Sequence, residues 1–204
     1  MNKLCVVIGG GGHARVLMDA LLLSGITILG FTDLTPKEFS LHGKQVAYLG
    51  TDEEFLKRGN KKDIQLVNGI GSVGDSTTRR KIFYRFKEAG FSFLTVIHPS
   101  AVIAQDVTFG EGVQVMAGVI VQTGCKIGNN VIINTRASID HDCAIKDHVH
   151  IAPGAVLSGT VTVDENAHVG TGASIVHGIY IPAGTLIKAG SVISRSYSAE
   201  SVAR

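Results

Sequence analysis

Residues 101–142 read AVIAQD VTFGEG VQVMAG VIVQTG CKIGNN VIINTR ASIDHD, and a large apolar residue takes the third place in every group of six. The period continues to Ile193, so that all sixteen positions counted in steps of six from Ile103 are Ile, Val, Leu or Phe. The residue two places earlier is mostly small. A period of six fits neither an α-helix nor a hairpin. It predicts a solenoid in which each unit forms one short strand and one corner.

The interior of such a solenoid needs no large rings, and the composition agrees with that. Aromatic residues make up 6% of the 204 residues, Trp is absent, and 25 residues are Gly. Cys125 and Cys143 take the small inward position eighteen residues apart, and Cys5 lies in an apolar run. We therefore expect reduced core thiols rather than a disulfide framework.

The first hundred residues follow a different pattern. Leu4–Ile8 is a continuous apolar run typical of a buried parallel strand. Residues 13–24 have helical spacing and are followed by Gly, and residues 76–89 form a basic amphipathic helix. Strands and helices in alternation predict a small parallel α/β domain. We assign residues 1–98 to this domain and residues 99–204 to the solenoid.

A glycine-rich turn connects the first strand to the first helix. Gly9, Gly11 and Ala14 match the spacing G-x-G-x-x-G/A, and Asp33 follows the second strand. Such a turn lets the backbone approach a phosphate while helix N–H groups point at it. Since only about 100 residues precede the repeat and a dinucleotide fold needs two such halves, one nucleotide-diphosphate group is favoured. A tight turn that binds nothing is the alternative.

A histidine followed directly by a carboxylate stands at one predicted corner. His141 comes two positions after the inward Ile139, where its ring can point away from the solenoid, and Asp142 follows it. A carboxylate can accept a hydrogen bond from one ring nitrogen and raise the basicity of the other. The pair is therefore a candidate general base for an attacking amine or hydroxyl.

A zinc site formed by other histidines is an alternative interpretation of this part of the sequence. His150 and His168 are eighteen residues apart and His148 is close by, a spacing that would suit zinc in a β-helix of the γ-carbonic-anhydrase type. The simpler interpretation makes His148, His168 and His177 solvated or stacked surface residues. We predict no metal.

Charge and hydropathy exclude two classes of partner. The net charge is +2, from 19 basic and 17 acidic residues, which is not the strongly basic balance of a nucleic-acid-binding domain. No apolar run approaches the roughly 18 residues of a membrane-spanning helix. We expect a cytoplasmic protein that binds neither nucleic acid nor membrane.

The chain resembles the sugar-nucleotide acetyltransferases of the bacillosamine and perosamine pathways and the related sialic-acid O-acetyltransferases, all hexapeptide-repeat acyltransferases. The motifs that carry the resemblance are Gly9–Ala14, Gly30–Asp33, Gly69–Gly71, Arg79–Lys81, Ile97–Ala101 and Asn134–Asp142. The resemblance implies a Rossmann-like domain followed by a left-handed parallel β-helix with three repeats per turn and about five turns. It also implies acetyl-CoA as co-substrate and a homotrimer with sites between subunits.

The resemblance also implies roles for individual residues. His141 is the general base, and Asp142 orients it. The residues that hold the nucleotide-linked sugar are Gly11, Gly12, His13, Asp33 and Gly71, and those that contact acetyl-CoA are His150, Gly159, Thr171 and Ala189. Leu34 stands where many relatives have a second acidic residue.

The expected reaction is N-acetylation of a nucleotide-linked 4-amino-4,6-dideoxy sugar, UDP-linked, in bacterial surface glycan biosynthesis. O-acetylation of sialic acid or a related sugar would use the same residues, and a zinc hydratase and a non-enzymatic scaffold are further alternatives. At three repeats per turn, the nine residues from His141 to His150 are half a turn, so the two rings lie on opposite sides of one chain. We therefore expect His141 of one subunit to meet His150 of a neighbour.

Overall fold

The computed structural model of the chain describes residues 4–58 and 64–196. Its first part contains β1 (Leu4–Ile8), α1 (Gly12–Leu23), β2 (Thr27–Thr32), β3 (Ser40–Leu41), β4 (Lys44–Gln45), α2 (Asp52–Arg58), β5 (Ile64–Asn68) and α3 (Thr77–Glu88). The longer strands form a parallel sheet in the order β2-β1-β5, while β3 and β4 form an antiparallel hairpin. The predicted α/β organisation is confirmed, and the hairpin is an addition that the apolar pattern does not predict.

The sheet is covered on both faces, which explains the continuous apolar run of β1. Alternate residues of β1 pack into two hydrophobic clusters, one that includes α1 and one that includes α3. The first helix ends at Leu23, and Gly25 follows its C-cap with a φ of +69°, the left-handed conformation that favours glycine at this position. Within the two described ranges, no helix is both long enough and apolar enough to cross a membrane.

Seventeen two-residue strands follow within the described residues, β6 to β22, and they wind into a left-handed parallel β-helix of about five turns. Their bounds are Val96–Ile97, Val102–Ile103, Thr108–Phe109, Gln114–Val115, Ile120–Val121, Lys126–Ile127, Ile132–Ile133, Ser138–Ile139, Ala144–Ile145, His150–Ile151, Val156–Leu157, Thr162–Val163, His168–Val169, Ser174–Ile175, Tyr180–Ile181, Leu186–Ile187 and Val192–Ile193. Each strand pairs with the strand eighteen residues away, as His150 does with His168. The predicted fold class is confirmed.

The strands form three flat faces joined by corners. Face 1 consists of β6, β9, β12, β15, β18 and β21, face 2 of β7, β10, β13, β16, β19 and β22, and face 3 of β8, β11, β14, β17 and β20. We name each corner by the two faces that it joins. Because β6 already belongs to face 1, the α/β domain leads directly into the first turn, and the domain boundary at residue 98 stays a prediction.

The interior of the β-helix is filled as the period predicts. Ile133, Ile151 and Val169 stack on one another and are fully buried. Cys125 and Cys143 fill small positions, are at most 1% exposed, and are both free thiols. Burial raises the pKa of Cys143 to about 12, so its thiol stays protonated. The predicted core role of these cysteines is confirmed.

Candidate active site

A cavity of about 510 Å³ opens beyond the carboxyl ends of β1, β2 and β5. This is the edge at which open α/β sheets bind ligands. Its lining consists of Gly9, Gly10, Gly11, Gly12, His13, Asp33, Leu34, Lys37, Asp52, Gly69, Ile70, Gly71 and Val73. The structure thus brings together in one cavity all five residues that the family resemblance assigns to the nucleotide sugar.

The glycines of the turn differ in what surrounds them. A Cβ added at Gly10 would lie 2.7 Å from the ring of Phe31, so a side chain has no room there. A Cβ at Gly11 or Gly12 would meet no atom within 4 Å. These two glycines therefore border open space at the N-terminus of α1, where free backbone N–H groups attract phosphate.

Asp33 ties the turn to the end of β2. The backbone N–H of Gly10 donates to Asp33 Oδ2 at 2.8 Å, and Lys37 Nζ lies 2.7 Å from the same oxygen. Although desolvation opposes ionisation, these hydrogen bonds hold the pKa of Asp33 below its ordinary value. Asp33 is therefore ionised at neutral pH. Beside it, Leu34 is 85% exposed and gives the cavity mouth an apolar surface.

A buried arginine holds the segment of the cavity lining that follows β5. Arg79 is 1% exposed, and its Nη1 donates to the carbonyl oxygens of Asn68 and Ile70, at 2.8 Å each. Among the described residues, no carboxylate pairs with it, and burial lowers its pKa to about 9. Arg79 is thus still charged at neutral pH. It holds the Gly69–Gly71 segment in place and keeps a positive charge close to the cavity.

His13 connects the cavity to the β-helix. Its Nε2 lies 2.7 Å from Oε1 of Gln114, which is 1% exposed on β9 in face 1. Burial, and then the charge of Arg79, lower the pKa of His13 to about 4. The ring is therefore neutral at physiological pH.

His141 and Asp142 form a hydrogen-bonded pair at the corner between faces 2 and 3. His141 Nδ1 lies 2.8 Å from Asp142 Oδ2, and the two side chains are 45% and 62% exposed. Asp142 adopts a left-handed backbone conformation, with φ of +59°. The hydrogen bond to Asp142 raises the pKa of His141 above its ordinary value. With Nδ1 donating to the carboxylate, Nε2 is the nitrogen that can accept a proton.

The ring of His141 lies over the next turn of the same corner. Gly159 occupies the equivalent position there, and a Cβ on it would collide with His141 Nε2. His177 follows one turn later, with its ring centroid 6.0 Å from that of His141. The absence of a side chain at Gly159 therefore allows the His141 ring to occupy this position.

His150 lies elsewhere in the same chain. It is on β15 in face 1, is 7% exposed, and donates from Nδ1 to the carbonyl oxygen of Ser72 at 2.7 Å. Its Nε2 accepts from Asn134 Nδ2 at 3.1 Å. Burial, and then the neighbouring His168, lower its pKa to about 3. Face 1 is opposite the corner of His141, as the half-turn count predicts.

The four residues assigned to acetyl-CoA do not meet within one chain. Gly159 lies under His141 at the corner between faces 2 and 3, His150 lies on face 1, and Thr171 and Ala189 lie at the corner between faces 1 and 2. Their common role stays a prediction, and it requires surfaces from more than one copy.

One sequence-based interpretation is wrong. The sequence predicts a surface position for His148, but the residue is 3% exposed and its ring nitrogens bond to Asn130 Nδ2 and the Tyr84 hydroxyl. The reason is that α3 of the first domain packs over this corner of the β-helix. The sequence does not identify Gln114, Ser72 and Arg79 as site residues, because a single sequence carries no signal for their contacts across the two domains, with His13, His150 and Asn130.

A zinc site would need converging ligands. Within residues 4–58 and 64–196 no three His, Cys, Asp or Glu side chains converge to hold a metal ion. His150 and His168 are neighbours and contact each other edge to face, with ring centroids 4.7 Å apart and planes at 80°. His150 Nδ1, however, is already bonded to Ser72.

Two family models match this chain, one in each part. The PglD N-terminal domain matches residues 5–86, and the bacterial transferase hexapeptide (six repeats) matches residues 124–159. The first match covers the cavity and the second covers the His141–Asp142 pair. The class defined by this fold and site is the hexapeptide-repeat acyltransferase.

Similar proteins narrow that class. A variant of perosamine N-acetyltransferase from Caulobacter crescentus, crystallised with CoA and GDP-perosamine, is 38% identical with a TM-score of 0.86, and the match covers 94% of this chain and 89% of that one. The acetyltransferase domain of PglB from Neisseria gonorrhoeae is 32% identical with a TM-score of 0.88, over 97% and 94%. UDP-N-acetylbacillosamine N-acetyltransferase from Bacillus subtilis is 37% identical over 115 residues, which are 56% of this chain and only 52% of that protein. This chain belongs to the family of sugar N-acetyltransferases that join a PglD-type domain to a hexapeptide β-helix.

Proposed function

We propose that this protein transfers the acetyl group of acetyl-CoA to the amino group of a UDP-linked 4-amino-4,6-dideoxy sugar, in the cytoplasm, for bacterial surface glycan synthesis. The observation that carries the proposal is the exposed His141–Asp142 pair, in a chain whose other domain holds a glycine-lined cavity. His141 Nε2 takes a proton from the amine as the amine nitrogen attacks the acetyl carbonyl. A C–N bond forms, the C–S bond breaks, and the CoA thiolate takes the proton from the His141 imidazolium and leaves as its thiol.

The relatives support both substrates. The Caulobacter enzyme is crystallised with CoA and GDP-perosamine, and the PglB domain with acetyl coenzyme A. The Caulobacter structures include variants in which one histidine is replaced by asparagine or alanine. The B. subtilis relative, named for a UDP-linked sugar, supports UDP as the nucleotide.

We also propose that the protein is a homotrimer with sites between subunits. Besides the separation of His141 from His150, face 2 presents outward apolar residues: Val102, Ile120, Val156 and Val192 are 65%, 40%, 45% and 71% exposed. A row of this kind is a surface that a second copy can cover. A cyclic assembly would bury it and bring two chains together at each site.

The reaction is tested by supplying acetyl-CoA with a UDP-linked 4-amino-4,6-dideoxy sugar, with GDP-perosamine, or with sialic acid, and measuring CoA release and product mass. We expect stoichiometric CoA and an N-acetylated UDP-sugar. Turnover on sialic acid alone would replace the proposal by O-acetylation, and turnover on GDP-perosamine alone would correct the nucleotide.

Substitution of Gly11 by Val is expected to raise the KM for the sugar nucleotide by about tenfold or more, because the side chain fills space that the diphosphate needs. The KM for acetyl-CoA should hardly change. The fold should persist, since Gly11 has φ −81° and ψ −171°, which Val adopts readily, and no atom lies near its Cβ.

Gly10→Ala serves as the comparison for a folding defect. Its Cβ would press on Phe31, so we expect a lower melting temperature and lower activity with both substrates. A Gly11→Val variant that melts like the wild type but keeps the wild-type KM for the sugar nucleotide would show that the cavity is not the sugar-nucleotide site.

The activity is expected to rise with pH through the pKa of His141, because only the neutral imidazole accepts a proton. The Asp142 hydrogen bond, and then the nearby Asp140 carboxylate, raise that pKa above its ordinary value. Asp142→Asn should therefore move the inflection of kcat/KM to lower pH while reducing the plateau. Asn also tolerates the left-handed backbone at this position. An unchanged inflection would show that His141 is not the group that titrates.

A further inference from the structure

One ring nitrogen of His13 is available to a ligand. A residue of the β-helix, Gln114, determines whether that nitrogen donates or accepts a hydrogen bond. Gln114 Nε2 donates to the carbonyl oxygen of Asn68 at 2.7 Å. A backbone carbonyl only accepts, so the amide group of Gln114 is held with its oxygen toward His13. His13 Nε2, 2.7 Å from that oxygen, must therefore carry the proton.

The other nitrogen of His13 is consequently an acceptor. A neutral imidazole protonated at Nε2 has a lone pair at Nδ1. A second proton is disfavoured by burial and by the buried charge of Arg79. Within residues 4–58 and 64–196, no group is seen to bond to His13 Nδ1, and His13 lines the cavity. An O–H or N–H donor on a ligand would satisfy this atom, whereas a phosphate oxygen would be repelled.

We infer that His13 Nδ1 accepts a hydrogen bond from a hydroxyl or amino group of the bound nucleotide sugar, and that Gln114 is the positioning residue that keeps this nitrogen unprotonated. The inference rests on the proposed function. It assigns His13 to the ribose or the sugar rather than to the diphosphate, although His13 directly follows the glycine-rich turn. It also makes a residue of the β-helix, which touches no ligand, part of the specificity of the first domain.

Two substitutions at His13 test separately the acceptor atom Nδ1 and the hydrogen bond that Nε2 makes to Gln114. In Asn, the amide oxygen can replace Nδ1 but the side chain is too short to reach Gln114. In Gln, the amide reaches the place of Nε2 and can still donate to Gln114, but no acceptor replaces Nδ1. The Asn variant therefore keeps only the acceptor of Nδ1, and the Gln variant keeps only the donor of Nε2.

The dissociation constant of the UDP-linked amino sugar is measured by calorimetry without acetyl-CoA. We expect His13→Asn to stay within about threefold of the wild type and His13→Gln to bind about tenfold more weakly, the value of one hydrogen bond. UDP alone is measured in parallel. A loss for UDP assigns the donor to the ribose, and a loss for the UDP-sugar only assigns it to the sugar. The reverse order of the two variants would overturn the inference and leave His13 as a structural link.

Gln114→Met tests the positioning role. It should weaken binding several-fold in the wild type, because Nδ1 can then take the proton. It should have little further effect in His13→Asn, which has no ring to orient. If Gln114→Met weakens binding of the UDP-sugar equally in the wild type and in His13→Asn, and also lowers the melting temperature, Gln114 has only a structural role. If the wild type binds the UDP-sugar but releases no CoA, the proposed function fails while this inference stands.

Discussion

Replacement of His141 by Ala is expected to lower kcat by about 10²- to 10⁴-fold, the usual contribution of general base catalysis. The imidazole would take the amine proton as the C–N bond forms, and among the described residues of that corner no other imidazole bonds to a carboxylate. The KM for acetyl-CoA should change little. The fold should not suffer, since the side chain is 45% exposed and its ring bonds to Asp142.

His177→Ala is the matched control. This histidine lies on the same corner, 6.0 Å from His141 between ring centroids, and its Nε2 is 3.2 Å from the Thr160 hydroxyl rather than from a carboxylate. It should keep near wild-type turnover. If His141→Ala retains wild-type kcat, or if His177→Ala loses as much, the assignment of the base is wrong.

The sequence predicts the β-helix well because its period is a local property that recurs at every turn. An inward residue every six positions, with stacking after eighteen, is visible without any knowledge of long-range contacts, and the register of His150 on His168 follows from it. The same counting places His141 and His150 on opposite sides. The glycine turn is likewise local, and its residues do line one cavity.

Contacts between the two domains could not be predicted in this way. Arg79 looks like one charge of a basic helix in the sequence, but the structure buries it, and its Nε donates to the carbonyl oxygen of Asn130 in the β-helix at 3.4 Å. His148 fails as a surface residue for the same reason, since Tyr84 of α3 covers it. Gln114 occupies an outward position that would be exposed in an isolated β-helix. The packing of the first domain on the β-helix brings Tyr84 to His148 and His13 to Gln114.

That packing bears on how the proposed site is assembled. Ser72, one residue beyond the cavity-lining Gly71, accepts a hydrogen bond from His150 through its carbonyl oxygen. The cavity wall and the residue assigned to the acetyl group are thus joined within one chain, while the base is half a turn away. A complete site would then combine the cavity and His150 of one subunit with His141 of another.

Mixed assemblies of two inactive variants are therefore expected to regain activity. His141→Ala and His150→Ala chains are each prepared alone, shown to be inactive and folded, then dissociated, mixed in equal amounts and reassembled. In a cyclic assembly each site takes His141 from one chain and His150 from its neighbour, so about a quarter of the sites receive both native histidines. Recovery should approach about a quarter of the wild-type rate, far above either variant alone.

The presence of both variants in one assembly must be verified before either recovery or its absence can be interpreted. A charge tag on one variant separates mixed from unmixed assemblies by ion exchange, and activity is measured on each fraction. Mixtures of each variant with a second copy of itself give the background. If verified mixed assemblies stay inactive, both histidines act from one chain. The half-turn between the corner of His141 and face 1 would then have to be bridged by the substrates themselves, because the β-helix holds the two rings on opposite sides of its core.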